Sequence, residues 1–385
     1  MSEGLDILRA DPAGEPPAAS ACLLHYNRTV KTWDVIVIGG GVIGLSLAWR
    51  LRQSGAAVLV VEKSEPAREA THAAGGMIAH CDPSNPPQLA KMIATSARLY
   101  PEFVTELRAE AFTSPDLRTD GAIAFFENGE QPACEGSRPL DDDDLARLEP
   151  LIACRGRAYL LAESSVDPRK LGFALEKAAR TLGVDFVTGA PVTEVAVMGN
   201  RAAGVRTSKS FYVASTVVNC AGAWASQIKP IALPTRPVKG QMVCVVPAAA
   251  AHHSGPLIRH VVRGPDVYII PRSDGRILLG ATVEEAGFDK RIDPAMIHRL
   301  HQAAVKAVPE MAKMRIHDAW AGLRPGSPDG LPMLGATSMP GYYAATGHYR
   351  DGIMLAPATA LVMTQLISGG RPEIDLKAFS PLRFA

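Results

Sequence analysis

Long apolar runs are missing from this 385-residue chain. No segment reaches the roughly 18 consecutive apolar residues that a membrane span needs. The most apolar stretch, Asp34 to Trp49, is interrupted by Gly39, Gly40, Gly41 and Gly44. An excess of one charge is missing as well. Forty Lys and Arg stand against 39 Asp and Glu, a net of +1, which leaves no bulk pull toward nucleic acid or an anionic membrane. The six cysteines, at 22, 81, 134, 154, 220 and 244, form no C-x-x-C pair and no metal-ligand spacing. They are expected to be reduced thiols in a cytoplasmic protein, with neither a disulfide framework nor a metal site. A basic start followed by an apolar stretch, as a secretory leader requires, is also absent. Residues 1–31 instead carry Glu3, Asp6, Asp11, Pro12, Glu15, Pro16 and Pro17. They read as a flexible tail or a misassigned start, outside the fold in either case. No internal repeat is visible.

What remains is ordinary globular material, 47% apolar and 21% charged, in a length that suits two or three domains at about 150 residues each. From Thr32 onward, strand-like and helix-like segments alternate. Val35–Ile38 is a short β-branched run. Val42–Gln53 sets Ile43, Leu47 and Leu51 on one helical face before Gly55, and Ala57–Val61 is a second buried strand. Together they make a βαβ unit. Further on, Leu171–Leu182, Gln302–Val308 and Ala358–Ile367 read as helices, and Val184–Val187, Val213–Asn219 and Arg276–Leu279 as strands. Strands of both the buried and the alternating kind predict an α/β protein with one parallel and one antiparallel sheet. The acidic run Asp141–Asp144 reads as a helix N-terminus, where carboxylates favour the positive dipole end, and not as a metal loop.

The chemistry starts at Gly39-Gly-Gly41-Val-Ile-Gly44, a G-x-G-x-x-G that follows a strand and opens a helix. Gly39 permits the tight turn, Gly41 lets backbone approach a pyrophosphate, and Gly44 lets helix and strand pack closely. The phosphates would meet free N–H groups at the helix start. Glu62 ends the second strand 18 residues after Gly44, where an acid receives ribose hydroxyls and repels a 2′-phosphate. The ligand is therefore FAD or NAD, not NADP. Small residues in Glu69-Ala-Thr-His-Ala-Ala-Gly-Gly-Met77 let backbone run against a flat ring system, which favours FAD. A second glycine turn, at Gly222, closes Val217-Val-Asn-Cys-Ala-Gly-Ala-Trp224.

Three further motifs are specific: Ala321-Gly-Leu-Arg-Pro-Gly326 with Asp329-Gly330, Gly347-His-Tyr-Arg-Asp-Gly-Ile-Met-Leu-Ala-Pro-Ala-Thr359, and the pair Pro237-Val-Lys-Gly-Gln241 and Val267-Tyr-Ile-Ile-Pro271. With them, the chain from about Trp33 to Leu376 resembles the D-amino-acid oxidase and sarcosine oxidase family of FAD-dependent oxidoreductases, and within it the glycine oxidases of thiamine biosynthesis. The resemblance implies a Rossmann-type FAD-binding domain from 32–85, 160–229 and 320–385. It implies an α+β substrate-binding domain with a mostly antiparallel sheet from 86–159 and 230–319. Val42, Ile43, Glu62 and Lys63 would bind the ADP half, with Val192 at the adenine. Ala70, Thr71, Gly75, Gly76 and Met77 would line the flavin, and His348, Tyr349, Arg350, Asp351, Gly352, Ile353 and Met354 would wrap its pyrimidine edge. Arg324 would clamp a substrate carboxylate with Tyr268 beside it, and Arg350 would lie near substrate and flavin. The implied reaction takes a hydride from Cα of glycine to flavin N5, giving an imine, ammonia after hydrolysis, and hydrogen peroxide from oxygen. The same site on sarcosine, a D-amino acid or proline is the alternative, and a flavin protein without turnover is a third reading. A homotetramer is also implied.

Two positions depart from the pattern. His72 stands where related dehydrogenases carry flavin on a histidine; the expectation here is noncovalent FAD. Asp351 stands where asparagine is common, and its carboxylate would oppose the reduced flavin's negative charge unless Arg350 neutralises it.

Overall fold

The computed structural model describes residues 31–126, 130–132, 134, 136–154, 156–248 and 256–385. The tail reading of 1–31 falls, but for Lys31, outside the described residues. Trp33–Ala385 makes up one unit of the chain.

Val35–Ile38 and Val58–Val61 are β-branched on both faces, and both faces are covered. They lie side by side and parallel, from Val35 opposite Val58 to Ile38 opposite Val61, in an eight-stranded sheet. Strand alternation sends Val35, Val37, Val58 and Val60 to one face. There they meet the helices Val42–Gln53, Ala90–Ala111, Pro168–Thr181 and Gly352–Ile367. Ile36, Ile38, Leu59 and Val61 take the other face, against Val195, Ala202 and Val205 of the antiparallel hairpin Val192–Met198 and Arg201–Thr207. Each such buried side chain is worth roughly 1.5–3 kcal/mol relative to exposure. The sheet continues through Phe211–Asn219, Tyr342–Thr346 and Met333–Ala336 on one side and Asp185–Val187 on the other.

The second eight-stranded sheet runs Met314–Gly326, Arg236–Pro247, Ile277–Gly280, Tyr268–Pro271, Val261–Arg263, Ala122–Phe126, Arg157–Leu161 and Arg138–Leu140. Its neighbouring pairs are antiparallel except Val261–Arg263 with Ala122–Phe126. On Arg236–Pro247, Val243 and Val245 pack with Ile297, Leu300 and Ala304 of the helix Pro294–Ala307. Met242 and Cys244 face the opposite way, into a cluster with Met77, Cys81 and Tyr268. This face of the sheet borders a deep cavity.

Asp141 caps the helix Asp142–Leu148, its carboxylate accepting the Asp144 N–H at 2.7 Å, so the acidic run is the expected helix start. The cysteine expectation is corrected. Cys81 and Cys134 form a disulfide, with Cα atoms 4.8 Å apart across 53 residues of sequence. Chain return, not local spacing, brings them together, and one bonded pair removes the argument for a reducing compartment. Cys220 and Cys244 are buried free thiols, and Cys22 lies outside the described residues. The helix Ala90–Ala111 lies in sequence assigned to the substrate side, yet it packs in the core of the first sheet. Among the described residues, no helix is long and apolar enough to cross a membrane.

Candidate active site

The first strand turns into the first helix at Gly39, whose φ of +98° and position 2.7 Å (as a Cβ) from the Cys220 carbonyl admit only glycine. A Cβ on Gly44 would lie 2.0 Å from the Gly39 carbonyl, so the helix approaches its own turn as the fingerprint requires. Gly41 is the N-cap and offers no side chain; Val42 N–H donates to Thr71 Oγ1 at 2.8 Å. The buried Glu62 carboxylate accepts from Gly40 N–H at 2.7 Å and Ser64 N–H at 2.9 Å, which holds it beside the glycine turn. Lys63 pairs with Glu69 at 2.6 Å and lies 3.8 Å above the Trp224 ring. Val192 begins the hairpin on the far face of the sheet.

Between the two sheets' chains opens a cavity of about 770 Å³, within the range of ligand pockets. Gly41, Val42, Ile43, Ala70, Thr71, Gly75, Gly76, Met77, Gly222 and the whole run His348 to Met354 line it, with Tyr268 and Arg324. The structure thus brings most of the candidate residues to one wall system. Gly39, Gly44, Glu62, Lys63 and Val192 do not line it. His72 does not line it either, although Thr71 and Ala73 do. Burial first, then the Arg169 and Arg68 guanidiniums, push the His72 pKa down.

The segment Gly75–Met77 is held from behind by Arg272. This guanidinium is 2% exposed and donates to the Val166 carbonyl at 3.0 Å and the Gly75 carbonyl at 2.5 Å. Burial draws its pKa down to about 10. Gly76, at φ +78°, has no room for a Cβ, which would fall 2.0 Å from the Val166 carbonyl. At the other end, Gly322 lets Ala73 approach, since a Cβ there would stand 2.3 Å from the Ala73 Cβ. Trp320 Nε1 donates to the Ala73 carbonyl at 3.1 Å.

Arg324 lies across the neighbouring strand. Its Nη1 donates to the Thr282 carbonyl at 3.0 Å and the Lys239 carbonyl at 3.3 Å. Gly240 makes the space, because a Cβ there would be 2.3 Å from Nη1. No carboxylate lies within ion-pair distance of Arg324 among the described residues. Tyr268 is half-buried beside it, and its hydroxyl donates to Met242 Sδ at 3.4 Å. Burial raises the Tyr268 pKa against the opposing pull of Arg324 and Arg350, so the hydroxyl keeps its proton. Arg350 stands exposed at the rim and donates from Nη2 to Ser84 Oγ at 3.2 Å. It forms no ion pair with Asp351, its neighbour in sequence. His348 is buried against Thr359 Oγ1 at 3.1 Å, and burial drives its pKa down to about 3, so the ring is neutral.

Gly240, Met242 and the loop Asp82–Asn85 complete the cavity; Gly240 falls in the Pro237–Gln241 motif, and no sequence motif marks the others. The Gly240 and Met242 positions follow from register: Val238 pairs with Arg324 and Gly240 with Gly322. That pairing is invisible until both strands are known.

A glycine-turn cradle with a ribose-competent acid, opening into a cavity walled by small residues and an unpaired arginine, defines a flavin-dependent oxidoreductase. The residues present fit FAD, since the close approaches at Gly39, Gly44 and Gly76 leave backbone where a dinucleotide needs it. The chain belongs to the FAD dependent oxidoreductase family, whose model matches residues 34–366. It is 34% identical over 359 residues to the bifunctional protein ThiO/ThiG of Synechocystis, covering 92% of this chain and 54% of that one. It therefore spans about half the length of the bifunctional relatives it matches. Against the glycine oxidase of Pseudomonas putida it is 32% identical, covering 90% of this chain and 98% of that one. The crystal structure of glycine oxidase from Geobacillus kaustophilus superposes with a TM-score of 0.83 at 28% identity, over 91% of this chain and 98% of that one.

Proposed function

We propose that this protein oxidises the amine of glycine, with noncovalent FAD as hydride acceptor and oxygen as the final acceptor. The products are iminoacetate, which hydrolyses to glyoxylate and ammonia, and hydrogen peroxide. The single observation that carries the substrate class is Arg324, a guanidinium in the cavity wall whose partners are two backbone carbonyls and no carboxylate. A fork held on one side by carbonyls presents its remaining N–H groups to a planar anion. Tyr268 adds a protonated hydroxyl to the same anion. Met242 and Tyr268, in contact with each other, close the space beside Arg324 and favour the smallest side chain.

FAD, when bound, supplies the two-electron acceptor for the hydride that leaves Cα. The chain's own work is orientation: Arg324 and Tyr268 fix the carboxylate, and the wall of Gly75 to Met77 sets the depth of the site. No side chain is needed as a nucleophile, because a neutral amine expels the hydride. Iminoacetate would serve the thiazole ring of thiamine, and a cytoplasmic homotetramer completes the proposal, with light scattering as its check.

The test is anaerobic bleaching of the flavin. Glycine should bleach it, and sarcosine or D-proline should do so only at higher concentration; bleaching by either of these but not by glycine would move the substrate. Arg324→Ala should raise the glycine KM by about 100-fold or more, as expected for an ionic contact worth roughly 3 kcal/mol. An unchanged KM would remove the clamp. After acid precipitation the yellow colour should stay in the supernatant; a yellow pellet would place the flavin on His72.

A further inference from the structure

Asp351 takes no part in gripping the substrate, yet it lines the cavity. It is the N-cap of the helix Gly352–Ile367, but its carboxylate accepts no capping bond from that helix. Among the described residues no hydrogen bond reaches the carboxylate at all. A half-buried carboxylate that finds no donor takes up a proton more readily than one in water.

The charged groups around it come from three elements. Arg350 is adjacent on the same turn, but its guanidinium is drawn to Ser84. Asp82 faces it from the loop across the cavity and repels its negative form, although Arg263 lies 3.7 Å from Asp82 and offsets part of that charge. From the helix Ala90–Ala111, Tyr100 donates to the Ile353 carbonyl at 2.7 Å, and burial raises the pKa of its hydroxyl. His348, three residues earlier, is neutral.

We propose that Asp351 is the proton partner of the flavin, its carboxylate binding one proton when the flavin is reduced and releasing it on reoxidation. The balance is simple. The hydride carries two electrons and one proton from Cα and adds one negative charge to the site. One further proton, from solvent, forms the O–H bond on Asp351 and cancels that charge. When oxygen takes the two electrons, Asp351 returns its proton. Burial has already brought the Asp351 pKa up to about 6, so near pH 7 the carboxyl is ionised beside neutral flavin. A new negative charge in the same cavity raises the pKa further. The proposal rests on the flavin reading and not on glycine as the substrate.

The test is the flavin midpoint potential of the holoprotein, measured against reference dyes between about pH 6.5 and 8. The wild-type chain should show two protons per two electrons, a slope of about 60 mV per pH unit. Asp351→Asn should show one proton and about 30 mV, since a tenfold change in a two-electron equilibrium is about 30 mV. Asp351→Glu should restore the steeper slope. A one-proton slope in the wild-type chain overturns the proposal even if the Asn variant fails to hold flavin, and so does a two-proton slope in both. A chain that binds no flavin would overturn the flavin reading first and this inference with it.

Discussion

At the scale of single residues, two titratable groups in the cavity wall, the buried His348 and the half-buried Asp351, pull stability in opposite directions with pH. His348 has a folded pKa near 3 against 6.5 for a free histidine. Its contribution is full above about pH 6.5. It is lost as pH falls toward 3, because the unfolded chain takes a proton that the folded chain refuses. Asp351, raised from 3.8 to about 6, contributes fully below pH 3.8 and loses that contribution as pH rises through 6. His348→Gln, which keeps a polar atom toward Thr359, should make the Tm fall less steeply than in the wild type between about pH 6 and 4. Equal slopes would mean that the ring is not the group being protonated. Arg324 and Tyr268 were legible in sequence because their motifs surround them. Met242 was not, because its importance is a matter of what lies on the next strand.

At the scale of elements, the helix Gly352–Ile367 begins at the cavity and carries Pro357 in its interior. Proline has no N–H, so the Ile353 carbonyl one turn earlier loses its helical partner. Tyr100 replaces it, its hydroxyl donating at 2.7 Å, and Ser96 donates to the next carbonyl, Met354, at 2.6 Å. The helix Ala90–Ala111 is thereby tied to the turn that bears His348 and Asp351. Tyr100→Phe would leave a buried carbonyl unsatisfied and should cost about 1–3 kcal/mol in urea unfolding. A midpoint within error of the wild type would show that the proline helix closes without it. This 22-residue helix was hidden in the sequence. Pro101 reads as a breaker, and its apolar positions identify a core only once the other helices of that layer are in place.

At the scale of the whole molecule, the cavity lies where the helix-covered sheet and the antiparallel sheet present their chains to each other. The Cys81–Cys134 disulfide joins the loop after Gly75–Met77 to the chain beyond the strand Ala122–Phe126. Closing 53 residues of chain restrains the unfolded state by up to about 4 kcal/mol in the chain-entropy account. The double variant Cys81→Ser and Cys134→Ser should therefore lower the Tm by several degrees, and reductant should lower the wild-type Tm to match. A wild-type Tm unaffected by reductant would mean that the pair contributes nothing to folding.

The glycine turn was readable from the residues alone, because glycine geometry and a strand-end acid are local properties within one βαβ unit. The family and the main lining segments were readable likewise, through motifs that are contiguous in the chain. Which of those residues share a wall followed from the folding of the chain. Folding turned His72 away from the cavity, set Arg324 across Gly240, drew Arg350 to Ser84 and left Asp351 without a donor. It also joined two cysteines that no spacing rule connects. Each of these outcomes depends on strand register or on long-range chain return, in which the partners are distant in sequence and chosen by packing.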